Sequence, residues 1–185
     1  MKDINIYINE ALNINHDIAS KFKGHTMYTV HPSTTDELRK IINRRLKENP
    51  DADLNDIDVS KITDMSLLFY GFKPHNIKID EWDVSNVENM YGVFQGCVDF
   101  NCDLSNWDVS NVTDMNGMFY CCRKFDSDIS KWNISNVKNM KTMLYGCWSF
   151  NSDLSNWNID KNTVDTLGMF DGCKGLNDFP SWYKE

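Results

Sequence analysis

No apolar run in the chain approaches the length of a membrane span, so no transmembrane helix is expected. Residues 1–20 lack both a continuous apolar stretch and a small-residue cleavage site, which argues against a secretory signal. Positive charge is in deficit: 19 Lys and Arg stand against 27 Asp and Glu, for a net charge of −8. An acidic surface makes nucleic acid and anionic lipid poor partners. Histidine is scarce, and none of His16, His25, His31 and His75 has the cysteine or acidic spacing of a metal site. No phosphate loop, nucleophile elbow or zinc-binding His-Glu pair is present. Asp51-Ala-Asp53-Leu-Asn55 starts like a calcium loop, but Asp56 takes the turn-glycine position and Ile62 that of the bidentate glutamate. No catalytic residue, metal or cofactor is therefore assigned, and an enzyme is not expected.

What the chain does have is a period. Trp82, Trp107, Trp132, Trp157 and Trp182 are each 25 residues apart, and Trp148 alone lies outside the row. Self-similarity at a fixed period of this size is the signature of stacked small units. A stack of near-copies also argues against one unique catalytic site. The other columns follow: Val84, Val109, Ile134, Ile159; Met65, Met90, Met115, Met140; Phe69, Phe94, Phe119, Leu144, Phe170. The first unit is degenerate, with Ile57 in the Trp position, Phe72 in the Cys position and His75 in the Phe position. The last unit has extra residues around 161–163. Irregular terminal units suit capping.

The six cysteines follow the same register. Cys97, Cys122 and Cys147 share one position, and Cys173 matches after a one-residue shift. One cysteine per unit reads as a small buried apolar residue, with free thiols in a reducing compartment. Cys102 and Cys121 stand outside that column as the more exposed thiols.

Within a unit, Trp107 and Val109 are two apart, which suits a short strand. Met115, Met118, Phe119 and Cys122 fall at i, i+3, i+4 and i+7, which suits a helical face. The expected fold is an α/β repeat solenoid: about five 25-residue strand–turn–short-helix units stacked behind an α-helical N-terminal cap. Five rungs at ~4.8 Å give a rod of roughly 25 Å.

Residues 1–50 do not repeat and form the cap; residues 51–185 form the stack. Ile4, Ile6 and Ile8 alternate as in a strand, while Ile4, Ile8, Ala11 and Leu12 make a helical stripe, and both readings stay open. A clearer helix is predicted over about 34–48. Thr34 and Glu37 make a capping box, and Leu38, Ile41, Ile42 and Leu46 share one face. Arg39, Lys40, Arg44, Arg45 and Lys47 surround it. The basic face offers a second reading, a docking surface for an acidic partner.

The string NxDLSNWDVSNVTDMxxMFxxC resembles the BspA-like leucine-rich-repeat proteins, over about residues 54–182. That resemblance implies a leucine-rich-repeat-like fold and a protein-binding role. Members are often bacterial surface proteins, and others occur in bacteriophages and protists. Without signal or anchor, this chain is expected to be cytoplasmic or virion-associated. The start MKDINIYINEA is also weakly similar to leaders that send internal proteins into phage capsids.

The residues between the inward Trp and Val form three polar columns. They are Glu81, Asn106, Lys131, Asn156; Asp83, Asp108, Asn133, Asn158; and Ser85, Ser110, Ser135, Asp160. In a leucine-rich repeat this is the binding face. The plainer reading is that Asp, Asn and Ser here make turns that satisfy backbone groups. A further column, Tyr70, Gln95, Tyr120, Tyr145, Asp171, either packs against the next rung or offers hot-spot anchors. The candidate partner-binding residues are therefore Asp83, Asp108, Asn133, Asn158, Asn106, Lys131, Asn156, Tyr120 and Tyr145. The leading expectation is a non-enzymatic protein–protein interaction module. The alternatives are a bacteriophage virion or assembly component, or an inhibitor of a host protein.

Overall fold

The computed structural model describes residues 28–160, 162–176 and 178–183. The alternating isoleucines, the leader-like start, His16 and His25 lie outside the described residues. Among the described residues there is one α-helix, α1, spanning Thr35–Glu48. Thr34 is extended and its hydroxyl accepts the Glu37 amide at 3.2 Å. The return arm differs from a plain capping box: Glu37 accepts the Ser33 amide at 2.8 Å and the Ser33 hydroxyl at 2.9 Å. These bonds hold the Glu37 carboxyl below its ordinary range. Asn49 turns extended ahead of Pro50, whose ring disfavours a further helical residue there, and the helix stops.

Beyond α1 the chain is a succession of turns tied unit to unit. Asp64, Asn89, Asp114, Asn139 and Asp165 are bridged in parallel, each to the next. The bonding alternates along each unit. Met115, Gly117, Phe119 and Cys121 donate amides to the carbonyls of Asn139, Lys141, Met143 and Tyr145 at 2.7–2.9 Å. The intervening amides of Met118, Tyr120 and Cys122 turn back to Met115, Gly117 and Phe119 at 2.9–3.1 Å. Every amide from Met115 to Cys122 except that of Asn116 is thus paired to backbone, and Asn116 is served by Asp114 Oδ1 at 2.8 Å. Buried backbone demands such complete pairing.

The alternation needs left-handed residues. Gly117 and Cys121 have φ of 60° and 61°, and Thr142 and Gly146 have 51° and 69°. Here the structure differs from the sequence reading of strand at Trp107–Val109 and short helix over 115–122. The bridged residue is the Asp or Asn just before each Met, and residues 115–122 are turns. A helix cannot hold φ above zero every fourth residue. The helical spacing survives because these turns also bring Met115, Met118, Phe119 and Cys122 to one side.

That side is the core. Met65, Met90, Met115 and Met140 are fully buried, as are the Phe columns. Phe69 stacks on Phe94 at 5.1 Å and Phe94 on Phe119 at 5.6 Å. Trp82 lies on Trp107 at 6.4 Å and 7°, and Trp157 on Trp182 at 6.4 Å. Each such buried ring contributes about 1.5–3 kcal/mol. The indoles also lock neighbouring units. Trp107 donates Nε1–H to the Ile79 carbonyl at 3.0 Å, and Trp132 to Leu104 at 3.0 Å. Trp157 breaks the series: its buried Nε1 has no acceptor among the described residues. The buried cysteines repeat the device, with the Cys122 thiol donating to the Phe94 carbonyl at 3.0 Å and Cys147 to Phe119 at 3.1 Å. Cys102, read as an exposed thiol, is buried; Cys121 is half-buried. His75 is exposed rather than in the Phe position, lying 3.9 Å from both Asp51 and Asp99, while Pro74 beside it is buried.

The helix closes the first unit by chemistry as well as by packing. Leu38 and Ile42 are fully buried against the core. One turn of α1 carries Thr35 and Arg39, which face carbonyls that an earlier unit's amides would otherwise meet. Thr35 donates to the Asp64 carbonyl at 2.5 Å. Arg39 donates to the carbonyls of Leu67, Leu68 (2.7 Å) and Tyr70 (2.6 Å), with its guanidinium 4.8 Å over Phe72. Arg45 clasps Asp56 with both nitrogens at 2.5 and 2.8 Å. Residues ahead of α1 join too: Val30 is bridged in parallel to Ile57, and His31 Nδ1 lies 3.0 Å from Asp58. Arg39 and Arg45 are therefore engaged in the fold, and the basic docking face reduces to Lys40, Arg44 and Lys47.

Candidate partner-binding face

The three polar columns lie outside the Trp–Val layer, and most of their members are exposed. Their carboxylates and amides have a local job. Oδ1 of Asp83, Asp108 and Asn133 accepts the amide of Ser85, Ser110 and Ser135 at 3.1, 3.0 and 3.2 Å. Asp160 does the same for Asn162 at 3.0 Å. These are Asx turns: Asp83, Asp108 and Asn133 make them and Ser85, Ser110 and Ser135 receive them, while Asp160, in the Ser column, makes its own. Hydrogen bonds from the Ser110 hydroxyl and amide hold the Asp108 carboxyl below its ordinary range. A turn-making carboxylate still presents its second oxygen outward, so turn and recognition are compatible.

Two further Asx positions recur per unit. Asp103, Asp128 and Asp153 accept from Ser105, Ser130 and Ser155 at 2.9–3.0 Å. Asp64, Asn89, Asp114 and Asn139, the bridged residues, accept from the residue two on at 2.7–3.2 Å. An asparagine ladder joins the units outside: Asn86, Asn111 and Asn136 donate side-chain amides to the carbonyls of Ser60, Ser85 and Ser110 at 2.7–2.9 Å. Sequence reasoning missed these columns, although an Asp or Asn at 25-residue spacing was there to be read.

Of the nine candidates, the structure brings four together. Lys131, Asn133, Asn156 and Asn158 line one shallow groove of about 680 Å³, with Lys138, Asp160 and Trp157 also in its lining. Asp83, Asp108 and Asn106 lie on the same columns in earlier units, outside this groove. Tyr120 and Tyr145 are half-buried and stacked on each other at 4.7 Å and 6°, so each ring covers the next. Tyr70 is the exposed member, at 51%. Another aromatic was not anticipated as a site: Trp148, 42% exposed, carries Arg123 at 4.2 Å and Lys174 at 4.4 Å from its ring centre.

Among the described residues no group of three or more His, Cys, Asp or Glu is placed to hold a metal ion. None of their helices is long and apolar enough to cross a membrane. Burial raises the column thiols, with Cys97 and Cys173 pushed up to about 12, so they are inert protonated groups at neutral pH.

Two overlapping stretches, residues 37–147 and 74–183, match the family described as "Mycoplasma protein of unknown function, DUF285". The chain belongs to this family. No curated protein and no solved structure matches it. The DUF285 match takes in most of α1 and every unit of turns up to Tyr183, so the groove and the polar columns all lie within the family region.

Proposed function

We propose that the chain is a non-enzymatic protein-interaction module, a small BspA-like repeat solenoid whose polar columns receive a protein partner. The observation that carries this reading is the groove around Lys131, Asn133, Asn156 and Asn158. Its Lys131–Asn133 side is tied to the preceding unit by the Trp132 and Asn136 bonds, and its Asn156–Asn158 side flanks Trp157, stacked on Trp182. A partner therefore meets a face ordered in advance, which lowers the entropy cost of binding. The inward side of every unit is filled by buried apolar side chains, which leaves recognition to the residues outside. The virion reading draws on the leader-like start, residues 1–11, which lies outside the described residues, and on the Tyr column, whose Tyr120 and Tyr145 are stacked on each other. The inhibitor reading loses Arg39, which is bonded within the fold.

Affinity capture from the native host's lysate tests the proposal, run beside a Lys131→Glu, Asn133→Lys, Asn156→Lys triple variant that unfolds at the same urea midpoint. A partner retained by the parent chain and released by the variant is the expected result. Equal retention by both would exclude this face. Turnover of a substrate by the pure chain would overturn the non-enzymatic reading.

A further inference from the structure

The backbone ladder ends differently at its two ends. Where the last two units meet, Met140, Thr142, Leu144 and Gly146 donate amides to Asp165, Leu167, Met169 and Asp171 at 2.7–3.0 Å. The equivalent amides one unit later belong to Thr166, Gly168, Phe170 and Gly172. Among the described residues, none of these four has an acceptor. The unit is otherwise folded like the rest: Met169, Asp171 and Cys173 turn back to Thr166, Gly168 and Phe170 at 3.0–3.3 Å. The described residues of the following segment cover the apolar side. Trp182 stacks on Trp157 and donates to the Leu154 carbonyl at 2.8 Å, while Phe179 and Tyr183 pack on Phe170. None of the row's four amides donates to a described residue of this segment. Beside the row, Leu167 is 66% exposed and Phe179 45%. The surrounding carboxylates of Asp165, Asp171 and Asp178 are exposed.

An unpaired ladder edge is a template for another backbone. This edge is one-sided, because it offers donors only. A second copy meeting it edge to edge would oppose donors to donors. Of the matching carbonyls at the far end, those of Asp64, Leu68 and Tyr70 are already met by Thr35 and Arg39, which leaves a second copy no free row to pair with. We propose that this edge binds an extended peptide segment of a partner protein, in parallel register, with carbonyls at alternate residues and basic side chains opposite the carboxylates. Main-chain bonds supply the affinity and the flanking Leu167 and Phe179 the selectivity, as in strand addition to a sheet edge. The site is separate from the polar columns and stands whether or not they bind anything.

A probe exists in the chain itself. Residues 138–149 supply Asn139, Lys141, Met143 and Tyr145 carbonyls to the unit before them and carry two lysines. A synthetic peptide of that sequence, with Cys147→Ser, is added to the intact chain and amide exchange is followed by NMR. In the free chain, Thr166, Gly168 and Gly172 should exchange fast while Gly117, Phe119 and Cys121 are protected. At free peptide ten times its Kd, exchange at the terminal row should slow about tenfold, with the inner units unchanged. A Leu167→Asp variant should weaken the peptide while leaving the inner protection intact. The proposal is overturned by no slowing at the highest soluble peptide concentration. It is overturned equally by terminal protection that rises with protein concentration in the absence of peptide, which would mark self-association.

Discussion

Replacing Arg39 with methionine should destabilise the chain by about 2–4 kcal/mol, although Arg39 is only half-buried on a helix that looks basic and solvated. Its guanidinium donates to three carbonyls of the first unit, those of Leu67, Leu68 and Tyr70. A hydrogen bond to a charged group contributes about 1.5–3 kcal/mol, and a buried acceptor left unmet costs about 1–3 kcal/mol. Tyr70 is exposed, so water replaces the arginine there; Leu68 is fully buried and loses its partner outright. Leu67 keeps the Tyr70 amide at 3.1 Å, so the loss rests mainly on Leu68 and falls in the stated range. Methionine keeps the aliphatic stem over Phe72, which separates lost bonding from lost packing. Lysine, a single donor head without the planar fork, should recover about half. Lys40→Met and Arg44→Met are the controls: both side chains are exposed, and each change should stay within about 0.5 kcal/mol. Urea unfolding followed by far-ultraviolet circular dichroism and by tryptophan fluorescence reads the midpoint and slope. Units coupled only to neighbours should fray from the unsealed end, so the slope should also fall. An Arg39→Met midpoint equal to that of Lys40→Met would refute the sealing role.

Three further outcomes are expected. Cys97 and Cys173 are pushed up to about 12 by burial, so the unfolded chain sheds these protons first as pH rises. Stability should therefore be full below about pH 8.5 and fall by about 1.4 kcal/mol per pH unit per thiol from there toward pH 12; a urea midpoint unchanged between pH 8 and 10 would contradict this. At the acid end, Asp108, Asp128 and Asp153 are held low by their serines, so stability should decline as pH falls through the ordinary carboxylate range and below. Asp108→Asn keeps the turn, as Asn133 does, and should flatten its share of that decline. Cys121 is a non-glycine residue at φ 61°, so Cys121→Gly should stabilise by about 0.5–1 kcal/mol, while Gly117→Ala at φ 60° should destabilise by about 1 kcal/mol; thermal melts of the two variants shifting the same way would contradict the left-handed assignment.

The period was plain in the sequence because five tryptophans mark it, and the same spacing reappears between the bridged residues from Asp64 to Asn139, with one residue added before Asp165. The inward residues were legible for the same reason. Local conformation was not. Met115, Met118, Phe119 and Cys122 fit a helical face, and nothing in their identities betrays the left-handed residues at Gly117 and Cys121 that make turns instead. Glycine at one of each pair was a hint, but cysteine, threonine and leucine at the others concealed it. On the outer face, the Asp/Asn and Ser columns were visible as columns, yet their division of labour needed the bond from each Oδ1 to the amide two residues on. Arg39 showed the opposite failure. Its charge and helical position read as surface, and only the three-dimensional neighbourhood reveals carbonyls waiting for a donor.

The central claim is that each unit is held by the amides it gives to the unit 25 residues on, leaving its polar columns outside as a preformed face. Scalar coupling across the hydrogen bond, measured between the Phe119 amide nitrogen and the Met143 carbonyl carbon, tests it most directly. The account predicts a resolved coupling there, repeated at Phe94 to Met118 and Leu144 to Met169. Absence of these couplings from a folded chain, with Phe119 exchanging as fast as Phe170, would contradict it.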